Sequence, residues 1–175
     1  MSVQRRDILI AGIGTFASLG HSASALADKP NSLRLYHIHT GEDLNISYRV
    51  NGQVVHEAVE AISYLLRDFR TGGVQAFDLD LLDSLSILYD RFDRRGRFEV
   101  ISGYRSPRTN KALRRVTSGV AEDSLHMSGC AIDIRLTGAA TDDLHTAAIE
   151  LGHGGVGYYP KSDFVHLDTG PVRTW

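Results

Sequence analysis

The stretch from Cys130 to Leu136 repeats with the period of a strand: Ala131, Asp133 and Arg135 fall on one face, Ile132, Ile134 and Leu136 on the other. Phe164 to Asp168 does the same, setting His166 and Asp168 opposite Val165 and Leu167. Each stretch asks for one buried apolar face and carries ionisable groups on the other, so both belong to a sheet covered by helices on one side. Side by side, the two strands bring Asp133 next to His166. His126 reaches the same point from Ser124-Leu125-His126-Met127-Ser128-Gly129, where Gly129 lets the backbone turn sharply. Two histidines and a carboxylate form a three-ligand set for a metal. Three protein ligands leave the fourth position of a zinc ion to water, as in catalytic rather than structural sites.

The rest of the chain supplies the sheet and its cover. Leu33 to His39 alternates, Thr40-Gly41-Glu42-Asp43 turns, and Leu44 to Val50 alternates again. Asn51-Gly52 is a hairpin signal ahead of Gln53-Val54-Val55, so this region reads as an antiparallel meander. The period then changes: Val59, Ile62, Leu66 and Phe69 recur at helical spacing up to a stop at Gly72-Gly73. Asp78 caps a second helix with Leu81, Leu85, Leu88 and Phe92 on one face. Phe98 to Ile101 is a short strand, and Ser106-Pro107 opens a third helix with a basic end from Lys111 to Arg115. Thr141 caps a fourth helix through Leu144, Ala148 and Leu151, stopped at Gly152. Val156 to Tyr159 and Phe164 to Asp168 are strands flanking a turn at 160–163. The expected fold class is α+β, with helices packed on a largely antiparallel sheet.

A chain of 175 residues, 42% hydrophobic and 23% charged, holds one ordinary domain, and its net charge of −2 lacks the basic excess that nucleic-acid binding needs. The N-terminus is distinct. Arg5-Arg6 stands before the apolar run Ile8 to Leu19, and a small-residue tract ends in Ala25-Leu26-Ala27. Residues 1–27 are thus expected to be a twin-arginine-like export signal peptide, cleaved after Ala27 to leave 28–175. The other readings are a short membrane anchor or a first helix of the fold. The run is broken by Gly12, Gly14 and Gly20 and is too short to span comfortably. No cysteine lies at the cleavage site, so no stable anchor is expected afterwards, and the single Cys130 has no internal partner for a disulfide.

Spacing alone does not separate metal ligands from ordinary polar residues on a half-exposed strand, because eight histidines make chance pairing easy. The motif goes further. Ser-x-His-x-x-Gly-x-Ala-x-Asp at 124–133 follows Ser102-Gly103-Tyr104-Arg105-Ser106 and precedes Val165-His166. Together they resemble the zinc peptidases of the D-Ala-D-Ala carboxypeptidase and hedgehog-like fold. Gly154 to Pro160, Phe164 to Gly170 and Arg173-x-Trp175 narrow the resemblance to the exported murein endopeptidase branch of these M15-like peptidases, once labelled a domain of unknown function. It covers roughly residues 33–175, including His39-Thr40-Gly41-Glu42, and makes 28–175 a zinc peptidase domain.

The resemblance implies that His126, Asp133 and His166 bind Zn2+. Arg105 matches the arginine near the scissile peptide, holding a substrate carboxylate or the oxyanion, with a structural ion pair as the plainer alternative. Ser124 matches the serine beside the first ligand, where it contacts substrate or supports that ligand. The general base is either Asp163, three residues before the last ligand, or Asp168, two residues after it. The implied activity is hydrolysis of peptide cross-links in peptidoglycan by metal-activated water, in the periplasm, on stem peptides. A D,D- or L,D-carboxypeptidase of the same fold is one alternative, and a non-catalytic, zinc-containing module for cell-wall peptide is another. Lys111, Arg114 and Arg115 either meet stem-peptide carboxylates or form a solvated helix end. His37, His39 and His153 have no assigned role.

Overall fold

The computed structural model describes residues 29–117 and 119–175, and the expected export segment at 1–27 lies outside them. In chain order come β1 (Asn31–His37), β2 (Asp43–Val50), β3 (Gln53–Val54), α1 (His56–Leu65), α2 (Leu79–Arg91) and β4 (Phe98–Ser102). Then follow α3 (Pro107–Val116), a 3-10 turn (Leu125–Ser128), β5 (Ala131–Leu136), α4 (Thr141–Leu151), β6 (Gly155–Tyr159), β7 (Phe164–Asp168) and β8 (Arg173–Thr174). The strands form one sheet in the order β3-β2-β1-β4-β5-β7-β6-β8. Only β1/β4 and β6/β8 run parallel. The fold is α+β with a largely antiparallel sheet. Among the described residues no helix is long and apolar enough to cross a membrane.

Local chemistry accounts for most element boundaries. Asp78 caps α2, its side chain accepting the Asp80 N–H at 3.1 Å. Ser106 caps α3, accepting the Thr109 N–H at 3.2 Å ahead of Pro107. Two boundaries differ from the periodicity. The helix expected to run on to Phe69 ends at Leu65, because Asp68 turns the chain: its carboxylate accepts the Arg70 N–H at 3.0 Å and, across 38 residues, the Ser106 N–H at 3.0 Å. Phe69 leaves the helical face and stacks on His39 instead. Ala140, not Thr141, occupies the cap position of α4. The Thr141 hydroxyl bonds Asp163.

Helices cover one face of the sheet. Leu33 and Leu35 of β1, Phe98 and Val100 of β4, Ile132 and Ile134 of β5, and Val165 of β7 are all fully buried against Ile62, Leu66, Leu81, Leu85 and Leu88. Each such side chain contributes about 1.5–3 kcal/mol relative to exposure. Pinned in this way, β5 and β7 cannot slip register without turning their apolar sets to water. The pairing puts Ile132 opposite Leu167, Asp133 opposite His166, and Ile134 opposite Val165. Asp133 and His166 are therefore delivered to the other face, next to one another.

Candidate metal centre

His126 arrives from the 3-10 turn, which ends at Gly129 with φ +74°. A Cβ at Gly129 would lie 2.3 Å from the Ala76 carbonyl oxygen, so only glycine fits this crossing. His126 Nε2 lies 3.3 Å from Asp133 Oδ1 and 3.3 Å from His166 Nδ1, and the latter pair is 2.8 Å apart. Donors bound at 2.0–2.2 Å to one tetrahedral zinc would sit about 3.3 Å from each other. His126 and Asp133 are buried and His166 nearly so.

The outer hydrogen bonds decide which atoms point inward. His126 Nδ1–H donates to the Gly103 carbonyl at 2.7 Å, leaving the Nε2 lone pair free. His166 Nε2–H donates to Asp168 Oδ2 at 3.0 Å, leaving the Nδ1 lone pair free. Asp133 turns Oδ1 to both histidines, while Oδ2 is held by the Arg105 guanidinium. Three electron pairs thus converge on one point, which calls for a cation: a proton on His166 Nδ1 or a metal ion. Burial by itself would raise Asp133, but His126, His166 and Arg105 hold its carboxyl well below the usual carboxylate range. Burial lowers His126 against the pull of Asp133. For His166 burial also acts downward, but the carboxylates of Asp133 and Asp168 outweigh it and raise the imidazole. The donor set fits a divalent metal, with an ionised carboxylate and imidazoles already turned to bind.

Two residues read as candidate bases lie in different surroundings. Asp163 sits outside the cavity at the β6–β7 turn, its side chain 61% exposed and bonded to Arg135 and Thr141. Asp168 is buried beside His166, and its carboxylate accepts five N–H groups: Gly155 N, Gly170 N and Arg173 Nη1 on Oδ1, His166 Nε2 and Arg173 Nη2 on Oδ2. Burial opposes ionisation of Asp168, and these donors overcome it, holding the carboxyl well below its usual range. Arg105 lines the cavity, donating through Nε to Ser102 Oγ at 2.8 Å and through Nη2 to Asp133; Nη1 has no partner among the described residues. Ser124 also lines the cavity, and its side chain makes no capping bond.

The centre opens into a cavity of about 560 Å3, a volume suited to a peptide segment. It is lined by Leu113 of α3, by Thr117 and the loop after it, and by Tyr159, Phe164 and Trp175. From sequence, Tyr159 is expected to pack rather than to serve as a substrate platform, and Phe164 and Trp175 carry no assigned role; nor does Asp123, an exposed cavity-lining carboxylate without a hydrogen-bond or ion-pair partner among the described residues. Lys111 and Arg115 do not line the cavity, and Arg114 pairs with Glu122 at 3.1 Å. The Arg173-x-Trp175 motif marks Trp175 in the sequence, but nothing there places its ring beside the centre, because the two residues of β8 that precede it are too few to show a period.

A family model described as peptidoglycan L,D-endopeptidase MepK matches residues 25–175. The peptidoglycan L,D-endopeptidase MepK of Escherichia coli K12 is 37% identical over 175 residues, spanning 98% of this chain and 96% of the relative. The protein of the same name from Shigella flexneri shows the same 37% identity and coverage. The probable peptidoglycan L,D-endopeptidase MepK of Haemophilus influenzae is 38% identical over 176 residues, spanning 98% of this chain and 95% of the relative. With matches of this extent, and a His-Asp-His cluster whose geometry could hold a metal ion, the chain belongs to the M15 peptidase family described as peptidoglycan L,D-endopeptidase MepK.

Proposed function

We propose that the chain is an exported, zinc-dependent endopeptidase that hydrolyses an L,D peptide cross-link in peptidoglycan. The observation that carries the reading is the convergence of His126 Nε2, Asp133 Oδ1 and His166 Nδ1, with both imidazole tautomers set by outside acceptors. Family membership supplies the substrate class, since the relatives bear the name of peptidoglycan L,D-endopeptidases. The paired arginines and the Ala25-Leu26-Ala27 site support export of the folded chain by the twin-arginine route, followed by removal of residues 1–27.

Zinc held by these three residues supplies a Lewis acid that brings the pKa of water to about 7. The chain's own groups do the rest. Gly103 O and Asp168 keep His126 and His166 in the tautomers that bind, so Asp168 is a positioning residue rather than a base. Arg105 holds Asp133 through Nη2, and its Nη1, without a partner among the described residues, is available to the oxygen that gains charge as the amide carbon becomes tetrahedral. Ser124 offers its hydroxyl to the substrate backbone. Of the three carboxylates that line the cavity among the described residues, Asp133 and Asp168 are fully engaged, and Asp123, without a partner among those residues, is the candidate to accept the proton.

The test is digestion of purified sacculi by the zinc-loaded protein, with muropeptides resolved by mass spectrometry and His166→Ala alongside. Loss of particular cross-linked dimers with matching monomers appearing, in the unsubstituted protein only, is the expected result and identifies the bond. An unchanged profile from folded, zinc-loaded protein would refute the endopeptidase reading.

A further inference from the structure

Trp175 is the only tryptophan in the chain, and it stands at the mouth of the metal centre. Its ring centroid lies 5.3 Å from that of His166. Three independent contacts fix it there. Its backbone is a rung of the sheet, Tyr158 N–H donating to Trp175 O at 3.0 Å and Trp175 N–H to Val156 O at 3.3 Å. Its indole N–H donates to Tyr159 Oη at 2.9 Å, and Tyr159 is stacked on Phe164 at 4.5 Å. Beneath the ring lies Gly157, directly opposite His166 in the strand register, where a Cβ would come within 2.6 Å of the indole. Gly157 therefore makes a seat that a larger residue would fill. Despite this seat, 49% of Trp175 is exposed. A large, partly exposed aromatic is thus held where it lines the cavity, beside a metal ligand.

The position limits what covers the exposed part of the ring. A span of 5.3 Å is under two residues of extended chain, so the occupant is part of the peptide next to the reacting carbonyl and not the glycan. The indole N–H is already given to Tyr159, the Arg173 guanidinium 5.0 Å from the ring centre is paired with Asp168, and the ring face carries the negative part of its quadrupole, so a carboxylate is not what it receives. We propose that Trp175 is a substrate-binding residue whose exposed indole receives the aliphatic side-chain stem of the residue beside the scissile bond, with Gly157 as its seat. This rests on the peptidase reading above and names the substrate contact of the same site.

Two measurements test it. Steady-state kinetics on a purified cross-linked muropeptide compare the zinc-loaded protein with Trp175→Phe, Trp175→Ala and Gly157→Ala. Separately, the fluorescence of the single tryptophan is followed while metal-depleted, unsubstituted protein is titrated with the same muropeptide. Trp175→Ala is expected to raise KM by about tenfold or more, the scale set by losing an apolar contact in a binding pocket, with zinc affinity unchanged and Trp175→Phe intermediate. The fluorescence is expected to change saturably. Cleavage by the unsubstituted protein with an unresponsive tryptophan overturns this proposal alone, and so does an unchanged KM in folded Trp175→Ala. No cleavage by the unsubstituted, zinc-loaded protein overturns the peptidase reading, and this inference with it.

Discussion

Replacing Asp168 with asparagine separates two roles open to a carboxylate on the ligand strand: taking a proton from water, or holding His166. The side chain is fully buried and accepts five N–H donors, three on Oδ1 and two on Oδ2. An asparagine keeps the shape but offers one acceptor oxygen, and its NH2 must face donors whichever way it is turned. Set against Oδ2's partners, it meets His166 Nε2–H and Arg173 and drives the imidazole proton onto Nδ1, the atom needed for metal. Set against Oδ1's partners, it leaves the N–H groups of Gly155 and Gly170 unanswered. Each buried donor without an acceptor costs about 1–3 kcal/mol, so two of them give roughly 2–6 kcal/mol of lost stability. Metal affinity should fall about 10- to 100-fold, as is usual when a partner behind a ligand is lost. The assay is competition for zinc with a chromophoric chelator, followed by kcat at saturating zinc. The positioning role predicts weaker binding with most of kcat restored by excess metal. Unchanged zinc affinity with kcat lowered about 100- to 10,000-fold at saturation would refute it, since that is the signature of a missing general base.

Burial, reinforced by the neighbouring His39, holds His37 at about 4 instead of 6.5. The unfolded chain therefore takes up a proton that the folded chain refuses between these values, so stability should fall by roughly 3 kcal/mol as the pH drops from 6.5 to about 4. Urea titrations across that range should show the slope reduced by one proton in His37→Asn. Gly129→Ala forces a left-handed residue against the Ala76 carbonyl and should cost about 2–4 kcal/mol, read as a lower urea midpoint with an unchanged m-value. Asp163→Asn removes a surface contact to Arg135 and Thr141 and should leave kcat within about twofold, whereas Asp123→Asn should lower it by about 100-fold if proton transfer runs through that carboxylate. Comparing kcat of the two variants at saturating zinc decides between the positions.

Periodicity carried the reading where neighbours in sequence are also neighbours in space. The alternation of β5 and β7 and the caps at Asp78 and Ser106 appear in the structure as expected. It failed where a distant group intervened. Nothing near Leu65 announces that α1 stops there, because the stop depends on Asp68 reaching the Ser106 backbone. Thr141 has the chemistry of a cap, yet its hydroxyl is taken by Asp163. Asp163 and Asp168 look alike on paper, one three residues before His166 and one two after; the structure exposes the first and buries the second under five donors.

The sequence by itself determined the α+β class and the strand faces that carry Asp133 and His166, because a two-residue period is a local property; His126, Asp133 and His166 were singled out as candidate ligands by the motif at 124–133 and Val165-His166, which periodicity alone could not do. The tertiary structure alone decided which imidazole nitrogen points inward and what holds each ligand. It also decided which carboxylates are engaged and which aromatic ring overlooks the centre. Most of these depend on a partner far along the chain: Gly103 for His126, Arg105 for Asp133, Gly157 for Trp175; His166 is held by Asp168, two residues away, but what engages that carboxylate from elsewhere is again decided by folding. The direction of a lone pair and the space beside a ring are set by atoms brought together through folding, and no local pattern encodes them.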